Sequence, residues 1–158
     1  MAADLQPPKK IFAHGWWTNE GQKISKSLGN VINPYEIIDE YGLDQIRFFL
    51  FREVPFGNDG DFSKDAIAQR VNADLSNNYG NLIQRIASFI IKNAKAEVSK
   101  PKKIEEKDEK LLQEFNVTFK NYLNNMESFQ IDKALKNIFT YLSAVNTYVD
   151  EQAPWALK

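Results

Sequence analysis

Residues 21–30 read GQKISKSLGN, and this stretch is the most informative in the chain of 158 residues. It places Lys23 and Lys26 three residues apart, sets the hydroxyls of Ser25 and Ser27 beside them, and has a glycine on each side of the group. Glycine allows unusual backbone angles, and lysine binds phosphate as a compact charge. Such a loop can hold a polyphosphate while negative charge develops on it. The alternative is an ordinary solvated turn that carries two lysines.

The composition allows a folded core and excludes several kinds of site. Hydrophobic residues make up 43% of the chain, and 20 basic residues balance 21 acidic ones, so any contact with RNA must be local. The absence of cysteine excludes disulfides and thiolate metal sites, and it fits a reducing compartment, which we expect to be the cytoplasm. No apolar run approaches the roughly 20 residues of a membrane span. The opening MAADLQPPKK lacks the apolar segment of a secretory signal.

One strand is predicted, directly before the lysine loop. Residues 11–18 read IFAHGWWT and are rich in aromatic and β-prone residues. A single strand cannot form a sheet. We therefore expect its partner strands to belong to a larger catalytic domain that lies N-terminal to this chain, whose own N-terminus would be a cut edge.

Helical signals dominate from residue 33 onward. Asn33, Pro34 and Glu36 predict the start of a short helix that ends near Gly42, and a second short helix is predicted over residues 44–52. Ser63 predicts the cap of a long helix. The apolar residues of that helix recur at steps of three and four, which is a helical period: Ile67, Val71, Leu75, Tyr79, Leu82, Ile86, Phe89 and Ile90.

The last third of the chain predicts two more amphipathic helices after a charged linker over residues 95–110. We expect their apolar stripes to pack in the core: Leu111, Phe115, Phe119, Tyr122 and Met126 in one, and Leu135, Ile138, Leu142, Val145 and Val149 in the other. The predicted fold class is therefore mainly α. A helical bundle follows a short remnant that contains one strand, the lysine loop and two short helices.

The string KISKS at residues 23–27 resembles the K-M-S-K-S signature of class I aminoacyl-tRNA synthetases, with Ile24 in place of methionine. In that family the loop closes over ATP and stabilises the pyrophosphate as the aminoacyl adenylate forms. The resemblance implies that Lys26 and Lys23 are the catalytic lysines, with Lys26 the main contributor. It also implies an ATP-binding loop made of Lys23, Ser25, Lys26 and Ser27.

Three longer strings resemble the methionyl-tRNA synthetase family in particular: HGWWTNEGQKISKS at 14–27, FGNDGDFS at 56–63 and DEQAPW at 150–155. The resemblance covers residues 11–158. It implies that residues 1–33 are the C-terminal edge of a class I α/β catalytic domain and that residues 34–62 connect it to the next domain. Residues 63–158 would form a helical anticodon-binding domain, which the family usually extends by further helix.

A polar row lies beside the apolar stripe of the long helix: Asn77, Asn81, Arg85 and Ser88, at steps of four, four and three. Spacing alone favours an ordinary solvated face. Asparagine and arginine can, however, present directional donors to base edges. In the family, an Asn and an Arg four residues apart on this helix read the anticodon, which implies that role for Asn81 and Arg85.

Trp155 directly follows Pro154 just past the last predicted helix. From the residues alone, this tryptophan is either a core residue between helices or a half-exposed platform on which a base can stack. In the family a Pro-Trp pair at this point stacks against the anticodon. This implies that Pro154 and Trp155, with Asn81 and Arg85, belong to the set of anticodon-binding residues, which we call the reader. The anticodon would be CAU, with Asn81, Arg85 and Trp155 around its first base.

The resemblance implies a fragment of an enzyme that joins methionine to tRNA(Met) with Mg-bound ATP. The H-I-G-H nucleotide signature and the cysteine-rich zinc insert of the family do not occur in this sequence, so we expect no metal site here and no catalysis by the isolated chain. Two alternatives stay open. One is a stand-alone helical module that binds tRNA and carries a vestigial lysine loop, and the other is a fragment of a different class I synthetase.

Overall fold

The computed structural model describes residues 5–156, and most of them are helical. Its one sheet has three short strands, β1 (Trp17–Asn19), β2 (Gln22–Lys23) and β3 (Gly60–Phe62), in the order β2-β1-β3. Strand β1 runs antiparallel to β2 and parallel to β3. Register places Thr18 opposite Lys23 on one side and opposite Asp61 on the other.

The prediction of a strand over residues 11–18, with its partners outside the chain, was wrong. Only Trp17 and Thr18 of that segment lie in a strand, and both partner strands belong to this chain. The partners escaped prediction because β2 has two residues and β3 has three, which is too short for an alternating pattern. Strand β3 also begins with glycine, a residue that is depleted in strands.

Two short helices follow the sheet's first two strands, α1 (Pro34–Tyr41) and α2 (Leu43–Glu53). The predicted cap is confirmed, since the Oδ1 atom of Asn33 accepts a hydrogen bond from the Tyr35 amide at 3.1 Å. Gly42, which separates the helices, has a φ of 92° that few other residues adopt. Helix α2 extends the predicted range by one residue at each end.

The long helix begins where Ser63 predicts it, and the Ser63 Oγ accepts a hydrogen bond from the Ala66 amide at 3.1 Å. Its winding changes along its length. Helix α3 (Lys64–Arg70) passes into a π-helical segment (Val71–Gly80), and α4 (Asn81–Ala94) continues from there. The sequence did not predict the π-helical segment, a rare winding that recurs at functional sites.

Helices α5 (Glu106–Glu127) and α6 (Ile131–Gln152) form a hairpin through a three-residue turn. Helix α5 begins inside the predicted linker, which is therefore shorter than residues 95–110. A capping box sets this start: Glu105 caps the helix, and the Asp108 side chain accepts a hydrogen bond from the Glu105 amide at 2.8 Å. The residues of this box are charged, which hid the helix start in the sequence.

The predicted core stripe of α5 is only partly buried. Leu111 and Tyr122 are half-buried, whereas Phe115, Phe119 and Met126 keep 46%, 50% and 39% of their surface exposed. The rings of Phe115 and Phe119 stack on each other with centroids 6.0 Å apart. The stripe therefore identified the helix correctly but not the burial of all its members.

The tightest core lies where the sheet meets the first three helices. Its buried members are Ile37, Ile46, Phe49, Phe62 and Ile67. The Trp17 ring packs against this cluster, 6.0 Å from the Phe49 ring centre. Phe48 of α2 reaches Phe139 of α6 at 5.3 Å and so ties the core to the hairpin. Within residues 5–156, no helix combines the length and apolarity needed to cross a membrane.

Candidate functional site

The lysine loop begins as a tight β-hairpin. Glu20 and Gly21 connect β1 to β2, and both have positive φ angles, 50° and 75°. A two-residue connection of this kind matches the right-handed twist of the strands, and it favours glycine at the second position. Lys23 is the last residue of β2, where its side chain is exposed to solvent.

Ser25 and Ser27 shape the turn that follows. The Ser25 Oγ caps a short 3-10 helix (Lys26–Leu28) by accepting the Ser27 amide at 3.3 Å, and the two hydroxyls lie 2.7 Å apart. Gly29 ends the turn with a φ of 67°. Because the serines bond to each other, the structure gives them a loop-shaping role. Lys26 is exposed at the top of this turn.

Asn30 holds the ends of the loop together, a role that the sequence did not predict. Its Oδ1 accepts the Ser25 amide at 2.8 Å, and its Nδ2 donates to the Lys23 carbonyl at 3.1 Å. Within residues 5–156, neither Lys23 nor Lys26 forms an ion pair. The loop thus presents two exposed cations, and the hydrogen bonds of Asn30 hold its two ends together.

Asp61 attaches the hairpin to strand β3. Its Oδ1 accepts hydrogen bonds from the Thr18 hydroxyl at 2.6 Å and from the Gly21 amide at 2.7 Å. These bonds, first that from Thr18 and then that from Gly21, hold the pKa of the Asp61 carboxyl below its ordinary value. The carboxylate therefore fixes the turn that leads to Lys23.

Acidification is expected to release this turn. Because the pKa of Asp61 is lower in the folded protein than in the unfolded chain, its stabilising contribution is complete above the ordinary aspartate pKa. That contribution is lost as the pH falls through the depressed value. The measurement is the NMR shift of the Gly21 amide against pH. In Asp61→Asn, which keeps an acceptor but does not titrate, this shift should stay flat; an unchanged acid titration would exclude Asp61 as the cause.

Arg85 lies at the centre of a second site, between α4 and α6. Its Nη1 donates to Asp150 Oδ1 at 2.6 Å, and its Nη2 donates to Asn146 Oδ1 at 3.1 Å. The guanidinium carbon lies 5.8 Å from the centre of the Trp155 ring, which is within the range of a cation–π contact. Two polar partners and one aromatic ring thus hold this cation at the surface.

Trp155 keeps 52% of its surface exposed, so the reading of this residue as a core tryptophan does not hold. It lies in a 3-10 turn (Pro154–Ala156), and Ala153 ends α6 in the left-handed region with a φ of 41°. Trp155 and helix α4 both line an open pocket of about 280 Å³. The pocket walls are mostly apolar: Arg85, Ile86, Phe89, Tyr148, Val149, Gln152, Pro154 and Trp155.

The structure brings three of the four expected reader residues, Arg85, Pro154 and Trp155, around one pocket. The fourth, Asn81, is exposed on α4 one turn before Arg85 and does not line the pocket. Residues four apart on a helix lie on the same face. Asn81 therefore extends the polar surface that begins at Arg85.

Asn146 and Asp150 of α6 also contact Arg85, and the sequence did not predict either contact. The signal was weak: the two residues are four apart on one helix, and Asp150 opens the string DEQAPW. Within the part of the chain that the structure describes, no group of three or more side chains could hold a metal ion.

Comparison with known families identifies both parts of the chain. Residues 1–87 of the 158 match the family described as tRNA synthetases class I (M). The chain belongs to the methionyl-tRNA synthetase family. Residues 98–158 match a second family, described as the anticodon binding domain of methionyl tRNA ligase.

Curated relatives match the chain along its whole length. The methionine–tRNA ligase of Rickettsia conorii is 47% identical over 163 aligned residues, which cover 100% of the chain and 32% of the relative. That of Brucella suis is 46% identical, with 100% and 31% covered. The chain therefore spans about a third of the length of the curated relatives it matches.

Solved structures agree with the fold of the chain. The methionyl-tRNA synthetase of Mycobacterium tuberculosis in complex with methionyl-adenylate superimposes with a TM-score of 0.91 at 39% identity, covering 99% of the chain and 31% of that protein. The apo form of the same enzyme gives a TM-score of 0.85. The mainly α fold with a short sheet-bearing remnant is thus the fold of the matching third of these structures.

Proposed function

We propose that this chain is the part of a methionine–tRNA ligase that supplies a loop for the ATP phosphates and a reader for the CAU anticodon. The parent enzyme forms methionyl-adenylate from methionine and Mg-bound ATP in the cytoplasm, and it transfers methionine to tRNA(Met). In this proposal residues 1–33 belong to the catalytic domain, residues 34–62 connect, and residues 63–158 bind the anticodon.

The observation that carries the proposal is the pocket that Arg85 and Trp155 both line. An unpaired base that stacks on an exposed tryptophan gains about 1–3 kcal/mol. The Arg85 guanidinium beside it can donate to the edge of the same base, because a terminal nitrogen that donates one N–H to the protein keeps a second N–H. A flat apolar wall next to a fixed donor is a combination that selects one base by its edge.

The lysine loop supports the other half of the proposal. Lys23 and Lys26 are exposed on a short turn whose base is held by Asn30 and Asp61. Neither lysine has an ion-pair partner among residues 5–156, so both can bind the phosphates of a nucleotide. Positive charge placed there before the reaction stabilises the pyrophosphate as it separates, and this is the loop's part in adenylate formation.

Charge at the RNA site is local. The chain has a formal net charge of −1, and Asp150 lies 2.6 Å from Arg85. Long-range attraction therefore contributes little to RNA binding, and the choice of anticodon depends on stacking and on directed hydrogen bonds. The affinity of the chain for RNA should accordingly depend on which bases the anticodon contains more than on the total charge of the RNA.

Binding of the 158-residue chain to a tRNA(Met) anticodon stem-loop tests the proposal. We expect the CAU loop to bind about tenfold tighter than a loop with UAU, because one well-placed side chain contributes about 1–3 kcal/mol of discrimination. Fluorescence anisotropy of labelled stem-loops gives both dissociation constants. Equal affinity for the two loops would reject the anticodon reader.

Two arginine variants make this experiment specific. Arg85→Gln should abolish the preference for CAU, whereas Arg47→Gln should keep it. Arg47 is a suitable control because it is exposed on α2 and also pairs with an aspartate, Asp44, at 3.8 Å. Equal loss in both variants would show that charge alone, and not the Arg85 site, determines binding.

A further inference from the structure

We propose that Asn146 of α6, supported by Asn78 of the π-helical segment, is a positioning residue that fixes the plane of the Arg85 guanidinium toward the RNA. The inference rests on the proposed function and deepens it, since it names side chains that set specificity without touching the base. It starts from a chain of hydrogen bonds that links four residues across two helices.

Asn146 uses both ends of its amide. Its Oδ1 accepts from Arg85 Nη2 at 3.1 Å, and its Nδ2 donates to Asn78 Oδ1 at 3.1 Å. The same Nδ2 reaches the Leu142 carbonyl of its own helix at 3.2 Å. A guanidinium only donates, so the reversed amide would set donor against donor. The chemistry of the neighbours therefore fixes the orientation of Asn146.

Asn78 holds Asn146 from the opposite helix. Its Nδ2 donates to the Ser143 hydroxyl at 3.0 Å and to the Phe139 carbonyl at 3.3 Å, which leaves its Oδ1 free to accept from Asn146. Asn78 lies in the π-helical segment, three residues before α4 begins. The π-helical segment that precedes α4 is thus hydrogen-bonded to α6, the helix that carries Asn146.

Asp150 alone would not set the same geometry. Its carboxylate supplies charge to Nη1, but its side chain is 59% exposed and can swing into solvent with the arginine. Asn146 is half-buried and lies one turn earlier on α6, where it binds the other terminal nitrogen. The two contacts, one turn apart on α6, hold both terminal nitrogens of a guanidinium whose carbon lies 5.8 Å from the Trp155 ring centre. When side chains are already ordered in the free protein, binding loses less free energy to the ordering of those side chains.

A purely structural role for Asn146 makes a different prediction. If the amide only joins α6 to the π-helical segment through Asn78, its removal weakens the fold by the same amount whether or not Arg85 is present. If it acts through Arg85, the effect on RNA discrimination disappears once Arg85 is gone. A double-mutant cycle separates the two cases.

The test uses Asn146→Leu, which keeps the size of the side chain and removes its polar atoms, in the 158-residue chain. We expect the ratio of affinities for CAU and UAU stem-loops to fall five- to tenfold. In the Arg85→Gln background the same substitution should change this ratio of affinities less than twofold. Thr147→Val is the matched control, because Thr147 is the next residue of α6 and bonds the Ser143 carbonyl at 3.1 Å; its discrimination should equal that of the wild type.

Each outcome has a separate meaning. If the wild type itself shows no preference for CAU, the proposed function fails. If the wild type prefers CAU and Arg85→Gln does not, but Asn146→Leu retains the preference or has equal effects in both backgrounds, only the positioning role fails. Circular dichroism verifies folding. Should Asn146→Leu unfold, Asn78→Ala removes the support from the other side, and an unchanged CAU preference there would overturn the inference.

Discussion

Lys26→Ala in the full-length parent enzyme is expected to slow methionyl-adenylate formation by about 10²–10³-fold, the usual effect of removing one preorganised group that stabilises charge in the transition state. Lys26 is exposed as the first residue of the short 3-10 helix, so the loss of its side chain should leave the fold intact. Isotope exchange between ATP and pyrophosphate measures the step directly. The apparent affinity for tRNA(Met) should not change.

Two other lysines provide the comparison. Lys23→Ala should produce a smaller loss of exchange, because Lys26 is the main contributor in the proposal. Lys102→Ala, at an exposed position in the linker between α4 and α5, should be neutral. If Lys26→Ala supports exchange at the wild-type rate, the lysine loop has no part in catalysis.

Trp155→Ala is expected to weaken binding of tRNA(Met) by roughly 5- to 150-fold, which corresponds to the 1–3 kcal/mol gained when a base stacks on an aromatic ring. The half-exposed ring contributes little to the core, so melting temperature should change little. The quantity to measure is the Michaelis constant for tRNA(Met) in aminoacylation by the parent enzyme. Pyrophosphate exchange should continue nearly unchanged.

Trp155→Phe and Trp16→Ala sharpen this result. Phenylalanine retains a ring on which a base can stack, so it should restore part of the affinity. Trp16 is 80% exposed in the N-terminal part of the chain and lies outside the Arg85 pocket, so its loss should leave RNA affinity unchanged. A loss of pyrophosphate exchange in Trp155→Ala would contradict the separation of the two sites.

Local signals in the sequence predicted two of the helix starts. Asn33 and Ser63 cap their helices as expected, because a cap needs only a side chain and an amide two or three residues away. The sheet could not be predicted in this way. Trp17 lies opposite Gly60, and a pairing between segments more than 40 residues apart leaves no periodic signal in strands of two or three residues.

The same limit applies to the candidate site. Arg85 and Trp155 could be named because short strings around them resemble a family, whereas spacing alone favoured a solvated face for Arg85. Asn146 contacts Arg85 across 61 residues of sequence, and neither helix pattern indicates which polar residues meet. The sequence also contained no signal that predicted the π-helical segment. Its apolar residues recur at steps of four, which a helical period allows, so the sequence did not reveal the wider winding.

The winding between Val71 and Gly80 has a consequence for how the gene can vary in length. Each residue of a continuous helix turns the direction of the side chains that follow it, so one codon deleted there would rotate every later position of α4 relative to α6. Arg85 would then face solvent or core in place of Asn146. Insertions between Ala94 and Glu106 would carry no such penalty, since a flexible connection lengthens at small entropic cost. Gaps in the alignment of functional homologues should therefore cluster in the second interval and avoid the first.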